Sequence, residues 1–206
     1  MIICLVDTET TSGNTVADFG AVIADLNSGE VLDEIGTLIY NQFDRMELWS
    51  NPHAKAGEFW SIQNVRARRK HYMSRIESGS RSIASNHLIN IWLAKNVGRY
   101  NPAVTAFNIS FDYPKCMATD INLGLFSKRF CLLQKARAYF SNDANYISYC
   151  HANNALTKTG KPKMTADNVA RYIIGEQLEA EPHTALEDAR DYELPIAQYL
   201  YNKGAL

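Results

Sequence analysis

The chain has 206 residues, 46% of them hydrophobic, and its 21 basic and 22 acidic side chains give a formal net charge of −1. This length and composition predict one globular domain over residues 1–206 and exclude a protein of extreme charge. No stretch has the length of a membrane span, and the apolar run after Met1 is too short for the core of a signal peptide. We therefore expect no membrane partner.

The cysteines are scattered and lack the paired spacing that zinc sites use. This pattern favours buried thiols in a reducing compartment, so we expect a cytoplasmic location. The four positions are Cys4, Cys116, Cys131 and Cys150.

Three strand-like segments open the chain. Residues 2–9 form a short apolar run, and "VADFGAVIADL" and "EVLDEIGTLIY" follow it, separated by the turn composition "NSG". Alternating β-branched and apolar residues bounded by such a turn predict a three-stranded antiparallel meander.

Helices and one more strand are predicted from the rest of the chain. Helical periodicity is found in five stretches, and a helix that carries Pro114 in its first turn is expected after a buried strand at Ala103–Asn108. Strands followed by mixed strands and helices predict an α/β domain with a mixed sheet. The helical stretches are 58–76 and 83–97, then 131–139, 166–174 and 184–202, while 141–164 reads as irregular.

Two carboxylates, Asp7 and Glu9, stand at the end of the first strand. Residues i and i+2 of a strand point to the same face, so both side chains are expected on one side of the sheet. Buried charge is costly unless a partner neutralises it. The pair can converge on two divalent cations; two solvated acids on a loop are the alternative.

A third acid, Asp112, lies in "AFNISFDYPKC", just beyond the second buried strand. The carboxyl ends of strands are where α/β folds place ligands. The alternative is that Asp112 only stabilises the N-terminus of the following helix electrostatically.

A histidine and a fourth acid come from "EPHTALEDARDYELPIAQYL". Thr184 followed by Glu187 matches a capping box, so we expect a helix that begins at Ala185 with Thr184 as its cap. His183 would then lie in the approach loop and Asp188 in the first turns. The two side chains can therefore address one site from different directions.

The segments "VDTETT", "FNISFD" and "HTALEDARD", in this order, resemble the three exonuclease motifs of the DEDDh (DnaQ-like) branch of the DEDD superfamily. That branch includes the proofreading epsilon subunit of bacterial DNA polymerase III, ribonuclease T and oligoribonuclease. Asp191 does not keep the family's spacing from the histidine, and a tyrosine at Thr184 would have marked the other branch. The residues that match the family's motifs are Asp7, Glu9, Asp112, His183 and Asp188.

The resemblance implies a ribonuclease H-like fold and hydrolysis of terminal phosphodiester bonds. It implies two Mg²⁺ or Mn²⁺ ions, which are hard cations that prefer oxygen ligands. His183 would deprotonate the attacking water, and nucleoside 5′-monophosphates would leave from the 3′ end. The implied metal ligands are Asp7, Glu9, Asp112 and Asp188.

The chain departs from the family pattern at two places that cradle the terminal nucleotide. Ser12 intervenes before Gly13, where many members read D-T-E-T-T-G, and Phe107-Asn108 stands where many have His-Asn. Neither change touches the five matched residues, so they bear on substrate fit and not on the reaction.

Substrate contacts follow from the same resemblance, which assigns Thr8, Thr10 and Asn108 to the 3′ nucleotide. Phe107 or Phe111 could stack on a base or pack in the core.

Two basic segments, "RARRKH" (66–71) and "TKTGKPK" (157–163), either follow the phosphate backbone or form solvated faces.

We therefore expect a metal-dependent 3′–5′ exonuclease acting on single-stranded 3′ ends, with DNA slightly favoured over RNA. The alternative is a catalytically inactive nuclease-fold module that binds nucleic acid or a partner protein; the intact set of five residues argues against it. A homodimer and a subunit of a replication or repair assembly both stay open, because relatives include each.

Overall fold

The computed structural model describes residues 1–11, 14–43, 55, 61–179 and 181–206. Within these residues the strands are β1 (Ile2–Thr10), β2 (Val16–Asp25), β3 (Glu30–Ile39), β4 (Ser82–Ala84) and β5 (Ala103–Thr105). The first helices are α1 (Tyr40–Phe43), α2 (Ile62–Glu77), α3 (Asn86–Tyr100) and α4 (Ile109–Ala118). The later helices are α5 (Leu132–Phe140), α6 (Ala144–Ala152), α7 (Ala166–Ile174), α8 (Ala185–Glu187) and α9 (Leu194–Asn202), and a π-helical segment, Asp188–Glu193, joins α8 to α9.

The five strands form one mixed sheet in the order β4-β3-β2-β1-β5. β1, β2 and β3 pair antiparallel, as the sequence predicts, while β4 pairs parallel with β3 and β5 parallel with β1. The β2–β3 turn closes through the N–H of Gly29, which donates to the Asp25 carbonyl at 2.8 Å. Gly29 has a φ of 76° there, a conformation that favours glycine. The predicted mixed sheet is confirmed.

Helices cover both faces of the sheet, because alternate residues of the central strands are apolar on both sides. Ile3 and Leu5 of β1 belong to one buried cluster with residues of α5, α6, α7 and α9. Cys4 and Val6 belong to the opposite cluster, which includes residues of α3 and α4. Since the acids of β1 continue the Ile3–Leu5 face, they emerge on the side that α7 and the Asp188–Glu193 segment cover.

Three features of the secondary structure differ from the sequence predictions. Pro114 lies in the interior of α4, because that helix begins at Ile109 and not near the proline. Helix α6 occupies part of the stretch predicted to be irregular, and the three-residue β4 was not predicted. The predicted start of a helix at residue 58, and the departure at Ser12 and Gly13, lie outside the described residues.

All four cysteines are buried and unpaired with one another. Among the described residues, no helix combines the length and the apolar character needed to cross a membrane.

Candidate active site

The last residues of β1 carry the first two acids. Asp7 pairs in register with Gly20 of β2, and Glu9 pairs with Asp18. Both side chains are half-buried, as expected for residues that continue a buried face to the edge of the sheet. The two predicted acids therefore share one face.

Asp112 lies in the first turn of α4, directly after β5, and only 4% of its surface is exposed. The hydroxyl of Thr8 donates to Asp112 Oδ1 at 2.8 Å. Because β1 and β5 pair in parallel, this bond joins the ends of two neighbouring strands and fixes the third acid beside the first two.

Two glycines admit the segment that carries His183 and Asp188 onto the sheet. A Cβ at Gly20 would lie 2.2 Å from the carbonyl carbon of Ala185, and a Cβ at Gly36 would lie 2.8 Å from Cβ of Leu186. Neither contact is possible for a real side chain, so any residue other than glycine at these facing positions would push α8 away from the acids of β1.

The helix begins at Ala185 as predicted, but the capping residue is different. Thr184 occupies the cap position without a side-chain capping bond. Instead the N–H of Ala185 donates to Oδ2 of Asp18, 2.9 Å away on β2. A carboxylate from a distant strand thus satisfies a free N–H of the first turn and anchors the helix on the sheet.

Three of the predicted side chains converge. Ligand atoms of Glu9, His183 and Asp188 all lie within 4.8 Å of one another. His183 Nδ1 is 3.9 Å from Glu9 Oε1. His183 has a φ of 56°, a left-handed conformation in which histidine is several-fold enriched among non-glycine residues. The backbone at His183 thus adopts an uncommon conformation at the candidate site.

A cavity of about 330 Å³ connects the remaining acids to open solvent. Asp7 and Asp112 line it together with Asn108 and two acids that the sequence did not single out, Glu181 and Glu193. The five motif residues thus meet where β1, β5 and the start of α8 come together.

Burial raises the pKa values of the site acids, and neighbouring carboxylates add to the rise for Asp7, Glu9 and Asp188. Burial raises the pKa of Asp188 to about 10, with further contributions from Glu181 and Glu9. Burial raises the pKa of Asp112 to about 7 against the opposing effect of the Thr8 hydrogen bond. Burial also raises the pKa of Asp7 well above its usual value, and the carboxylate that adds most is that of Glu193. The protein alone does not stabilise these groups as anions.

These residues fit divalent cations. Oδ1 of Asp188 is buried and accepts no hydrogen bond from any described residue, which is unusual for a carboxylate oxygen inside a protein. Carboxylate oxygens are the ligands that Mg²⁺ and Mn²⁺ prefer. A cation held by the set formed by Asp7, Glu9, Asp112 and Asp188 would offset both the burial of their charges and the repulsion among them.

The electrostatic environment of His183 favours the neutral imidazole. Burial lowers its pKa, and the guanidinium of Arg68 lowers it further. Arg68 belongs to the basic segment 66–71 on α2 and also counteracts the rise in the pKa of Glu9. One cation of that segment is therefore directed at the site.

Solved structures share this architecture, although no protein-family model and no curated protein matches the chain. The nuclease domain of 3′hExo, a DEDDh family member bound to rAMP, aligns with a TM-score of 0.50 at 11% identity, over 99% of this chain and 93% of that chain. The chain has the fold of a DEDDh nuclease domain. SSB/Exonuclease I in complex with the inhibitor CFAM aligns with a TM-score of 0.55 at 12% identity, over 98% of this chain but 41% of that chain. The expected ribonuclease H-like fold is confirmed.

The predicted nucleotide contacts have different surroundings within this DEDDh fold. Thr8 and Thr10 are buried, and the hydroxyl of Thr8 is bonded to Asp112. Asn108 is exposed on the wall of the cavity and makes no capping bond for α4. Phe107 and Phe111 both line the cavity, Phe107 partly packed in the core and Phe111 45% exposed. Phe111 is thus the more accessible of the two aromatic rings.

Behind the site lies a buried ion-pair network that the sequence did not predict. It consists of Asp18, Glu187 and two arginines. Arg81 lies 3.5 Å from Asp18 and 2.5 Å from Glu187, and its side chain is fully buried. Arg75 of α2 forms an ion pair with the same Glu187. This arginine–carboxylate network ties α2, β2 and α8 together.

Tyr72 of α2 extends this network to the histidine. Its hydroxyl donates to Asp18 Oδ2 at 2.9 Å and lies 3.3 Å from the carbonyl of His183. The sequence does carry a signal for Asp18, because this residue is an acid inside the apolar run "VADFGAVIA". Tyr72 and Arg81 carry no such local signal, because their partners are distant in sequence.

Glu193, the last residue of the π-helical segment, is a further acid that the sequence analysis missed. It is 3% exposed, and its Oε2 accepts the N–H of Phe107 at 3.2 Å. Insertions of π-helix are frequent at functional sites.

Proposed function

We propose that this chain is a divalent-metal-dependent 3′–5′ exonuclease that acts on single-stranded nucleic acid, with DNA slightly favoured over RNA. The observation that carries the proposal is the convergence of Glu9, His183 and Asp188 within 4.8 Å, with the buried Oδ1 of Asp188 accepting no hydrogen bond from described residues. The products would be nucleoside 5′-monophosphates released from the 3′ end.

The proton transfer in this proposal belongs to His183. Its lowered pKa keeps the imidazole neutral near pH 7, so it can accept the proton of the attacking water. Its Nδ1 already faces the acids, 3.9 Å from Glu9. The hydrogen bond between Tyr72 and the His183 carbonyl holds the histidine backbone in place.

The four acids have a different role. Asp7, Glu9, Asp112 and Asp188 would hold the cations, and the Thr8 hydroxyl keeps Asp112 oriented toward them. Bound cations would supply stabilisation of the charge that develops on the attacking and leaving oxygens of the phosphodiester.

The terminal nucleotide would occupy the 330 Å³ cavity beside these acids. Phe111 is 45% exposed, with Lys115 Nζ 3.7 Å from its ring centroid on one face. A base would stack on the opposite face, a contact worth about 1–3 kcal/mol and tolerant of sequence. Asn108 offers an amide for the sugar or base. The similar nuclease domain of 3′hExo was solved with rAMP, a nucleoside monophosphate of the kind that this cavity would receive.

A gel assay on 5′-labelled single strands of DNA and RNA of the same sequence tests the proposal. Each strand is incubated with Mg²⁺, with Mn²⁺ and with chelator, using the wild type and Asp188→Asn. The matched control is Asp191→Asn, which removes an exposed carboxylate one helical turn away that pairs with Arg190.

We expect a ladder that shortens from the 3′ end, that needs metal, and that is lost in Asp188→Asn but kept in Asp191→Asn. The relative rates on the two strands give the sugar preference. Intact strands in every metal lane, with strand binding still detectable, would overturn the proposal and favour an inactive binding module.

A further inference from the structure

A second depression adjoins the catalytic cavity. It is a cleft of about 640 Å³, called here the basic cleft, and it is lined by α5, α6 and the segment that leads to α7. Met164 and Thr165 line both the basic cleft and the catalytic cavity. The cleft and the cavity are therefore immediate neighbours, so a polymer whose end lies in the cavity can reach the cleft.

The charged side chains that line the described part of the basic cleft are all positive. Among the described residues that line it, Arg137, Lys161 and Lys163 are cations and none is a carboxylate. All three cations are exposed. This arrangement contrasts with the catalytic cavity, whose described lining includes four acids and no cation. The apolar part of the cleft is supplied by Ile147, Pro162 and Met164.

The two lysines project from an ordered hairpin. The N–H of Thr157 donates to the Lys161 carbonyl at 2.7 Å, and Gly160 takes the left-handed conformation of the turn with a φ of 76°. The N–H of Lys163 donates to the Ala155 carbonyl at 2.8 Å. The hairpin therefore presents its cations from a defined backbone.

Buried side chains fix the base of that hairpin. The carbonyl of Lys163 accepts hydrogen bonds from the Tyr146 hydroxyl and, at 3.1 Å, from the Asn168 amide. Tyr146 and Asn168 are both buried and also bond to each other at 2.8 Å. A preorganised cationic surface loses less conformational freedom when it binds an anion.

We propose that the basic cleft binds the phosphate backbone of the same single strand whose 3′ end lies in the catalytic cavity. This inference rests on the proposed function and deepens it: Arg137, Lys161 and Lys163 would bind phosphates upstream of the scissile bond. Contacts with phosphate carry no sequence information, so the cleft would increase affinity for long strands of any sequence. Because the basic cleft adjoins the catalytic cavity, a nucleic acid strand is favoured over an acidic protein segment as its occupant.

The test measures strand binding by the basic cleft separately from hydrolysis in the catalytic cavity. Lys161→Gln/Lys163→Gln removes two cations of the cleft, and Arg99→Gln/Lys203→Gln is the matched control. Arg99 lies just before the start of β5, and Lys203 follows Tyr201, whose hydroxyl bonds Asn27 in the β2–β3 turn. Both positions are therefore at the end of the sheet away from the carboxyl ends of β1 and β5. Two substrates are compared in Mn²⁺: the p-nitrophenyl ester of thymidine 5′-monophosphate, which needs only the cavity, and a long oligothymidylate.

Binding of the oligothymidylate in chelator is followed by fluorescence anisotropy over a salt series. We expect the cleft variant to hydrolyse the small ester at the wild-type rate and to bind the long strand about tenfold more weakly. The slope of log K against log salt should become shallower by about 1.4, which is about 0.7 for each lost phosphate contact on a single strand. The control variant should match the wild type in all three measurements.

The outcomes distinguish the two proposals. If the wild type hydrolyses neither substrate, the proposed function fails, while weakened strand binding by the cleft variant still supports the cleft. If the wild type hydrolyses both substrates but the cleft variant binds the long strand with unchanged affinity and salt slope, the inference is overturned, and an acidic protein segment becomes the occupant to test.

Discussion

Glu187 and Asp188 are neighbours in the chain and have opposite electrostatic environments. Burial disfavours the charge of both, yet Arg81 and the other partners of Glu187 lower its pKa below the usual value. Burial, Glu181 and Glu9 raise the pKa of Asp188 to about 10. One residue therefore faces a group of arginines and the next faces a group of acids.

The difference separates two uses of buried acid within one fold. Glu187 forms ion pairs with Arg75 and Arg81, which lower its pKa. Asp18 shares Arg81, although burial still raises the pKa of Asp18. At the motif acids the nearby cations compensate less: burial and neighbouring carboxylates raise the pKa of Asp188, and burial raises that of Glu9 despite Arg68. The first group holds the elements together, and the second group offers the carboxylate oxygens that a divalent cation would neutralise.

The largest expected effects come from replacing Asp188 and Glu187 each by the corresponding amide. Asp188→Asn should reduce hydrolysis by more than about 10³-fold, the scale seen when an essential active-site carboxylate is removed. It should leave metal-free stability unchanged or higher, since it removes repulsion. Glu187→Gln should instead cost about 3 kcal/mol of unfolding free energy, because the buried Arg81 loses its closest partner.

Chemical denaturation without metal, together with rates on a labelled strand, measures both effects. Equal losses of stability in the two variants would contradict the division into two groups.

Within the site, replacing His183 should affect turnover but not the binding of metal. His183→Ala should lower the turnover number by about 10²–10⁴-fold, as expected for loss of a general base. Its affinity for Mn²⁺, measured by calorimetry, should change little if, as proposed, the carboxylates hold the cation. Loss of Mn²⁺ binding in this variant would make His183 a ligand and remove it from the role of base.

The stability of the metal-free protein should depend on pH in a direction set by the acids of the site. An acid whose pKa is higher in the folded state binds more protons there, so its stabilising effect is full below the unfolded value and is lost as pH rises through the folded value. For Asp112 that window runs from 3.8 to about 7, and for Asp188 it extends to about 10.

We therefore expect a lower melting temperature at about pH 8 than at about pH 5.5 without metal. The lowered pKa of His183 acts in the opposite direction but belongs to a single half-exposed group. Mn²⁺ at a hundred times its Kd should add about 2.7 kcal/mol and reduce the pH difference. A metal-free melting temperature that is higher at about pH 8 would contradict this electrostatic description.

The smallest expected effect concerns the link between the two groups of acids. Tyr72→Phe removes a hydroxyl that bonds Asp18 and lies beside the His183 carbonyl, and should cost about 1 kcal/mol of stability. It should also lower turnover while leaving the Mn²⁺ affinity unchanged.

The sequence predicts those parts of the molecule that depend on local pattern. The β1–β3 meander follows from alternating apolar residues and the "NSG" turn, and the convergence of Glu9, His183 and Asp188 follows from the motif order. Helix α6 was missed because its sequence, "ANYISYCHA", carries a polar residue at every turn, and β4 because three residues show no periodicity.

Long-range contacts account for what the sequence did not predict. The cap of α8 comes from Asp18, which is 167 residues away, so a local motif assigned it to Thr184. Pro114 was placed in a first turn because proline is common there, whereas α4 accommodates it in its interior. Glu193 lines the cavity from the end of a π-helical segment, which local periodicity does not predict.

Binding of Mn²⁺ by isothermal titration calorimetry, to the wild type, Asp188→Asn and Asp191→Asn, tests most directly whether the motif acids are a cation site. We predict saturable binding by the wild type and by Asp191→Asn, and binding that is abolished or weakened by more than about tenfold in Asp188→Asn. Equal binding by all three proteins, or no binding by the wild type, would contradict the assignment of these acids to a metal centre.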